Sequence, residues 1–197
     1  MAILRTDFSD GDTFFAGTTS DTDKLNGITN EVNRKGVIHR KVYESAAQVN
    51  VSGSSFTDTA KTFDLAAPIN SLITSITYKC ELSNNTSNNA SITDIKITGT
   101  NLGTKYLTGY FSYLPNTNLE FTRSPVISDT AETNGIFYWS GSYGTFNKFG
   151  VTSSEPLKIL DATTTFTIRL KRGEHAFDAL LKNAKIEVIY IENYTED

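Results

Sequence analysis

The chain has 197 residues and a formal net charge of −4, a length that bounds one domain, or one domain with an appendage, able to bury a core without disulfides or metal. The charge is mild and no Lys/Arg block occurs, which excludes nucleic-acid binding driven by phosphate contacts. No apolar run approaches the roughly 20 residues needed to span a bilayer, so no membrane role is expected.

Residues 1–19 read as irregular, with Asp-Gly and Gly-Thr turn signals. Met1 to Asp7 lacks the apolar stretch of a signal peptide, and synthesis in a cytosol is expected. Ser20 or Thr22 can cap a helix over 22–34, in which Leu25, Ile28 and Val32 share one face. Gly36 stands where a helix end favours glycine. A helix this short with three apolar anchors is marginal alone. It must pack on its own β domain, on copies of itself or on a partner.

From about residue 37 the period changes to two. Leu72, Thr74, Ile76, Tyr78, Cys80 and Leu82 alternate with Ile73, Ser75, Thr77, Lys79 and Glu81, predicting a long half-buried strand. Phe166, Ile168 and Leu170 alternate with Thr165, Thr167, Arg169 and Lys171 in the same way. Ile186 to Ile191 is nearly continuously apolar and reads as a central strand. Shorter strands are predicted near 37–43, 56–65, 91–98, 104–113, 118–123, 135–140 and 146–151, separated by turn clusters such as Ser83 to Asn89 and Pro115 to Asn118. Residues 176–184 have helical spacing at Ala176, Phe177, Leu180, Leu181 and Ala184, and read as a short helix or turn. Thr, Ser and Asn fill roughly a third of the chain, a bias that suits exposed strand faces and turns. The expected fold is all-β: a jelly-roll-like antiparallel β-sandwich over 37–197, preceded by a short helical attachment segment over 1–36.

Chemistry has few candidates. His39 and His175 are isolated, without Cys or His at ligand spacing, so no structural zinc site is expected. No nucleophile-elbow pattern occurs. Carboxylates that could serve a glycosidase include Asp94, Glu120, Asp129, Glu132 and Glu155, and nothing in sequence singles out a pair. Cys80, on an apolar strand face, is expected to be a buried inert thiol, and as the single cysteine it forms no intrachain disulfide. Asp7, Asp10 and Asp12 surround a glycine as calcium-binding turns do, without EF-hand spacing; turn formation is the expected role. Gly141-Ser142-Tyr143-Gly144 lacks the Lys of a phosphate loop. The chain therefore reads as a non-enzyme without cofactor or metal. Half of its aromatic residues fall between Tyr106 and Phe149. Phe137-Tyr138-Trp139 cannot all face one core, because strand neighbours point to opposite sides. Tyr138, Trp139 and Tyr143 are candidates for a subunit interface or a glycan-stacking surface.

Phe8-Ser9-Asp10-Gly11-Asp12, followed by Lys24-Leu25-Asn26-Gly27-Ile28 and Asn30-Glu31-Val32, resembles the N-terminal motif of tailed-phage virion proteins such as fibres, whiskers and baseplate components. The link between the two parts, Phe14 to Asp23, is longer here than is usual in that family. The resemblance implies a short attachment or trimerisation element ahead of a β-rich distal part. Asp10, Gly11, Asp12, Leu25, Asn26, Ile28 and Val32 would then be assembly residues. The implied partners are other copies in a homotrimer, with the Leu25, Ile28 and Val32 faces of three copies packed together, and other virion proteins. The implied location is the virion, as a fibre, spike, collar or capsid decoration. A carbohydrate-binding module or receptor-binding tip that recognises host glycans is the alternative, and a small hydrolase on the same scaffold is a third.

Overall fold

A computed structural model of the chain describes residues 37–84, 90–112, 120–131, 137–140, 146–173 and 178–192. Among them run twelve strands: β1 (Val37–Ser45), β2 (Val49–Val51), β3 (Thr57–Ala66), β4 (Leu72–Asn84), β5 (Ala90–Gly99), β6 (Gly103–Ser112), β7 (Glu120–Ser128), β8 (Phe137–Ser140), β9 (Asn147–Ser153), β10 (Leu157–Lys158), β11 (Thr163–Arg172) and β12 (Ala179–Glu192). They form two sheets. In the first the order is β1-β12-β4-β10, with β2 also on β12 and β9 also on β4. β1 and β2 lie end to end along β12, and β9 and β10 lie end to end along β4. In the second the order is β3-β11-β5-β8-β6-β7, with β5 also paired to β6. The pairings are antiparallel except for one parallel bridge between Phe111 and Phe137.

The two sheets form a β-sandwich around a shared core. Ile76, Tyr78, Cys80 and Leu82 of β4 and Ile186, Val188 and Tyr190 of β12 meet Phe166, Ile168 and Leu170 of β11 and Ile95 and Ile97 of β5. Alternation along each strand puts these residues on one face, and burying each large apolar side chain contributes about 1.5–3 kcal/mol. One polar chain crosses this apolar layer. The buried Tyr78 hydroxyl bonds Thr93 Oγ1 at 2.8 Å, and Thr93 Oγ1 donates to the Arg169 carbonyl at 2.8 Å. Without such partners a buried phenol would lose its hydrogen bonds to water uncompensated.

Three sequence expectations change. Residues 179–184 are not helical but open β12. Ala179 and Leu181 are buried, Asn183 turns into the left-handed region at φ 51°, and the register with β4 shifts between Lys182 and Lys185. This bulge moves the buried set from 179 and 181 to 184, 186, 188 and 190. A period-two pattern that slips by one residue mimics helical spacing. A second register shift lies where β4 meets Ile189 and Tyr190 of β12, and it is why Ile73, rather than Leu72 or Thr74, is fully buried at the start of β4. Finally, the polar face of β11 is not solvated: Thr167, Arg169 and Lys171 are all buried.

Side chains close the sandwich at two corners. Where β1 passes β3, the Tyr43 hydroxyl donates to the Asp64 carbonyl at 3.0 Å, and the buried Lys61 ammonium donates to Ser45 Oγ at 2.5 Å. Where β9 leads into β10, the Glu155 carboxylate accepts from the Ile127 amide of β7. Each contact involves an edge strand of the second sheet, and two of them occupy backbone groups that an edge would otherwise offer to another chain.

Candidate functional site

Among the described residues, a buried group of charged side chains lies on the outer face of the second sheet. Ile95 and Ile97 face the core, so Asp94 between Thr93 and Ile95 projects the other way. Its register partner across β5–β11 is Arg169, flanked by the core-facing Ile168 and Leu170. Arg169 Nε donates to Asp94 Oδ1 at 2.8 Å, and its Nη2 donates to Asp94 Oδ2. The two side chains are 9% and 0% exposed. The guanidinium also lies over two rings, 4.5 Å from the centroid of Phe56 and 4.4 Å from that of Tyr106. Lys171 Nζ lies 4.8 Å from the Phe56 centroid. At the rim, Lys96 pairs with the exposed Asp58.

This geometry binds its own parts firmly. Burial pushes the Asp94 carboxyl up to about 6, while the Arg169 hydrogen bonds and charge pull it down. Desolvation therefore outweighs the ion pair, a common balance for buried pairs. Arg169 already carries a bidentate carboxylate and two aromatic neighbours. Such a cation pins strands together and leaves little of itself to offer a ligand.

A second carboxylate has a clear structural task. Asp161 follows β10 and accepts from the Asn101 amide at 2.9 Å, the Leu102 amide at 3.0 Å and Asn101 Nδ2 at 2.9 Å. These donors, the Asn101 amide foremost, hold its carboxyl below the usual range. It caps the turn between β5 and β6, where Gly103 has φ 71°.

The chemical candidates named from sequence whose side chains are described are likewise engaged or buried. His39 Nε2 contacts Glu192 Oε2 at 2.5 Å, and its ring stacks on Tyr190 at 4.9 Å. Asp129 pairs with Lys105, Glu155 holds Ile127, and Asp94 holds Arg169. Cys80 is buried, and burial pushes its thiol up to about 12, the condition of an unreactive thiol. Among the described residues no three His, Cys, Asp or Glu side chains converge as a metal site, and no helix is long and apolar enough to cross a membrane. His175, Glu132 and Tyr143 lie outside the described residues, as do Asp7, Asp10, Gly11, Asp12, Leu25, Asn26, Ile28 and Val32. Glu120 opens β7. Tyr138 and Trp139 are placed on β8, in register with Ile92 and Ser91 of β5.

Alternation places Arg169 on the polar face of a half-buried strand, and Asp94 is one of several carboxylates that nothing in sequence pairs. Their partnership spans 75 residues of chain. The available signal was weak: an acid set among the apolar and β-branched residues of β5.

These features define an all-β sandwich whose charged clusters serve the fold. No family model matches the chain, and no curated protein matches it. Among solved structures it is similar to a chain in a structure of the infectious bursal disease virus Gx strain, at 15% identity and a TM-score of 0.36, covering 78% of this chain and 32% of that one. A chain in a structure of the Gt strain of the same virus shows 13% identity and a TM-score of 0.37, with 80% and 38% covered. The chain thus spans about a third of the length of these structures. At these TM-scores the likeness is loose, and the sandwich rests on the strand pairings described above.

Proposed function

We propose that the chain is a non-enzymatic structural protein of a virus particle, a jelly-roll module attached through residues 1–36 and assembled as a homotrimer. The observation that carries the jelly-roll part of this reading is the strand order. With the end-to-end strands merged, one sheet runs β1/β2-β12-β4-β9/β10 and the core of the other runs β3-β11-β5-β6. That order supports an eight-stranded jelly roll of two Greek keys, with β7 and β8 added between β6 and β9. Jelly rolls recur in virus capsids and in lectin domains, and a fold alone does not select between them. The Asp10-Gly11-Asp12 and Leu25-Asn26-x-Ile28 resemblance favours the particle. The engagement of Asp94, Glu155, Asp161 and His39 in structural contacts favours a module without catalysis.

Mass spectrometry of virus particles purified from the source culture tests the reading. Peptides of this chain are expected to co-purify with capsid proteins at a structural stoichiometry. A chain found only in the cell lysate overturns the particle role. Light scattering of the full chain is expected to give three times the monomer mass, and a monomer at all concentrations removes the trimer.

A further inference from the structure

The exposed large apolar residues among the described part are Ile38 at 72%, Ile69 at 53%, Val37 at 41% and Val42 at 37%. Three of them lie at one end of the sandwich. Ile38 is in register with Ile191, and Ile191 with Leu72, so the three form a row across β1, β12 and β4. Ile191 and Leu72 are half-buried, and Ile69 stands in the turn just before Leu72. Tyr190, in register with the inward His39, faces the core, so the neighbouring Ile191 and its row lie on the outer face. Single exposed apolar side chains are ordinary, whereas a contiguous row marks a contact surface.

The chain itself leads to this row. Residues 1–36 lie outside the described part and run into β1 at Val37, one residue before Ile38. We propose that the row of Ile38, Ile191 and Leu72 is the seat of residues 22–34 of the same chain, an amphipathic helix whose Leu25, Ile28 and Val32 face is buried there. Lys35 and Gly36 make the reversal into β1, since connections as short as two residues join a helix to a strand, and Gly36 supplies backbone freedom for it. A tether this short holds the segment at a high effective concentration beside the row, which favours the same chain over a second copy. A helix marginal in isolation gains a partner, and an open apolar row gains a cover. Seated in this way, the Leu25, Ile28 and Val32 face is not what joins three copies, and within residues 1–36 both the attachment and the trimer contact of the proposed function fall to residues 1–21 with the Asp10-Gly11-Asp12 turn. The inference rests on the helix reading of 22–34 and does not need the particle reading.

Hydrogen exchange of the full-length chain, read by mass spectrometry at two protein concentrations about tenfold apart, tests it. Amides of 25–33 are expected to be protected equally at both concentrations. Ile38→Lys is expected to speed their exchange about tenfold or more, with β11 amides unchanged as the control for folding. Ile28→Lys, which leaves the sandwich untouched, is expected to do the same, and Asn30→Lys on the opposite helix face is expected not to. Free exchange of 25–33 in the unmodified chain overturns the proposal. So does protection that survives both Ile28→Lys and Ile38→Lys, and so does protection that grows with concentration, the mark of a second copy.

Discussion

Asp94 and Arg169 meet through two hydrogen bonds on the outer face of a sheet, with the guanidinium between the Phe56 and Tyr106 rings. An outward position on a sandwich normally leaves a charge in water. Here Asp94 is fully buried, so the pair depends on its own geometry to offset the loss of hydration.

Removing one partner should therefore cost far more than removing both. Arg169→Met is expected to lower stability by about 3–5 kcal/mol, because the Asp94 carboxylate is left buried and alone. Combining it with Asp94→Leu should recover most of that loss. Urea denaturation of the two single variants and the double variant measures the coupling, and additive losses would show that the two side chains act independently.

The same burial has a pH signature. Asp94 titrates near 3.8 when unfolded and is pushed up to about 6 in the fold. Between those values the native state binds more protons than the unfolded chain, so the Asp94 contribution grows more favourable as pH falls from about 7 to about 4. The full effect is about 3 kcal/mol. Asp161 and Glu187, both held below the usual carboxylate range, act in the opposite sense: their stabilisation is present above the ordinary carboxylate range and is lost as pH falls through their lowered values. The readout is thus the difference from Asp94→Asn. The native chain should gain on that variant upon acidification, and parallel pH profiles would refute the assignment.

Gly99 makes room for the Asp161 cap. A Cβ at position 99 would lie 2.9 Å from the Asp161 Cγ, and the carboxylate is held in place by Asn101 and Leu102. Gly99→Ala is expected to lower the melting temperature by about 5 °C. In an Asp161→Ala background the loss should shrink to what the 3.2 Å approach to the Leu102 Cβ costs. An undiminished loss there would mean that the carboxylate is not what demands glycine at position 99.

Asn183 sets the phase of β12. It is exposed, and its φ of 51° is one that β-branched residues resist. Asn183→Val should cost about 1–2 kcal/mol through backbone strain, while Asn183→Gly should stay within about 0.5 kcal/mol of the native chain. Equal thermal stability of the two variants would show that the bulge is not held by this residue.

Period-two patterning made most strands legible, including β4, β11 and the central place of β12. β2 and β10 escaped because three and two residues cannot display a period. The bulge at Asn183 escaped because a one-residue slip resembles helical spacing. The structural task of Asp161 was invisible, since its donors, Asn101 and Leu102, lie about sixty residues earlier in the chain.

Alternation of apolar and polar side chains is local, so the sequence by itself determined where most strands run and that Ile76, Tyr78, Cys80 and Leu82 of β4 and Phe166, Ile168 and Leu170 of β11 enter the core. Strand order, the bulge phase and the burial of the Arg169 face were decided by tertiary structure. Each depends on which distant segment lies alongside: β12 beside β1 and β4, Phe56 and Tyr106 over Arg169, and Asp94 across from it. Polar residues on a strand face are solvated or buried according to what covers them, and that cover is a property of the assembled sheets.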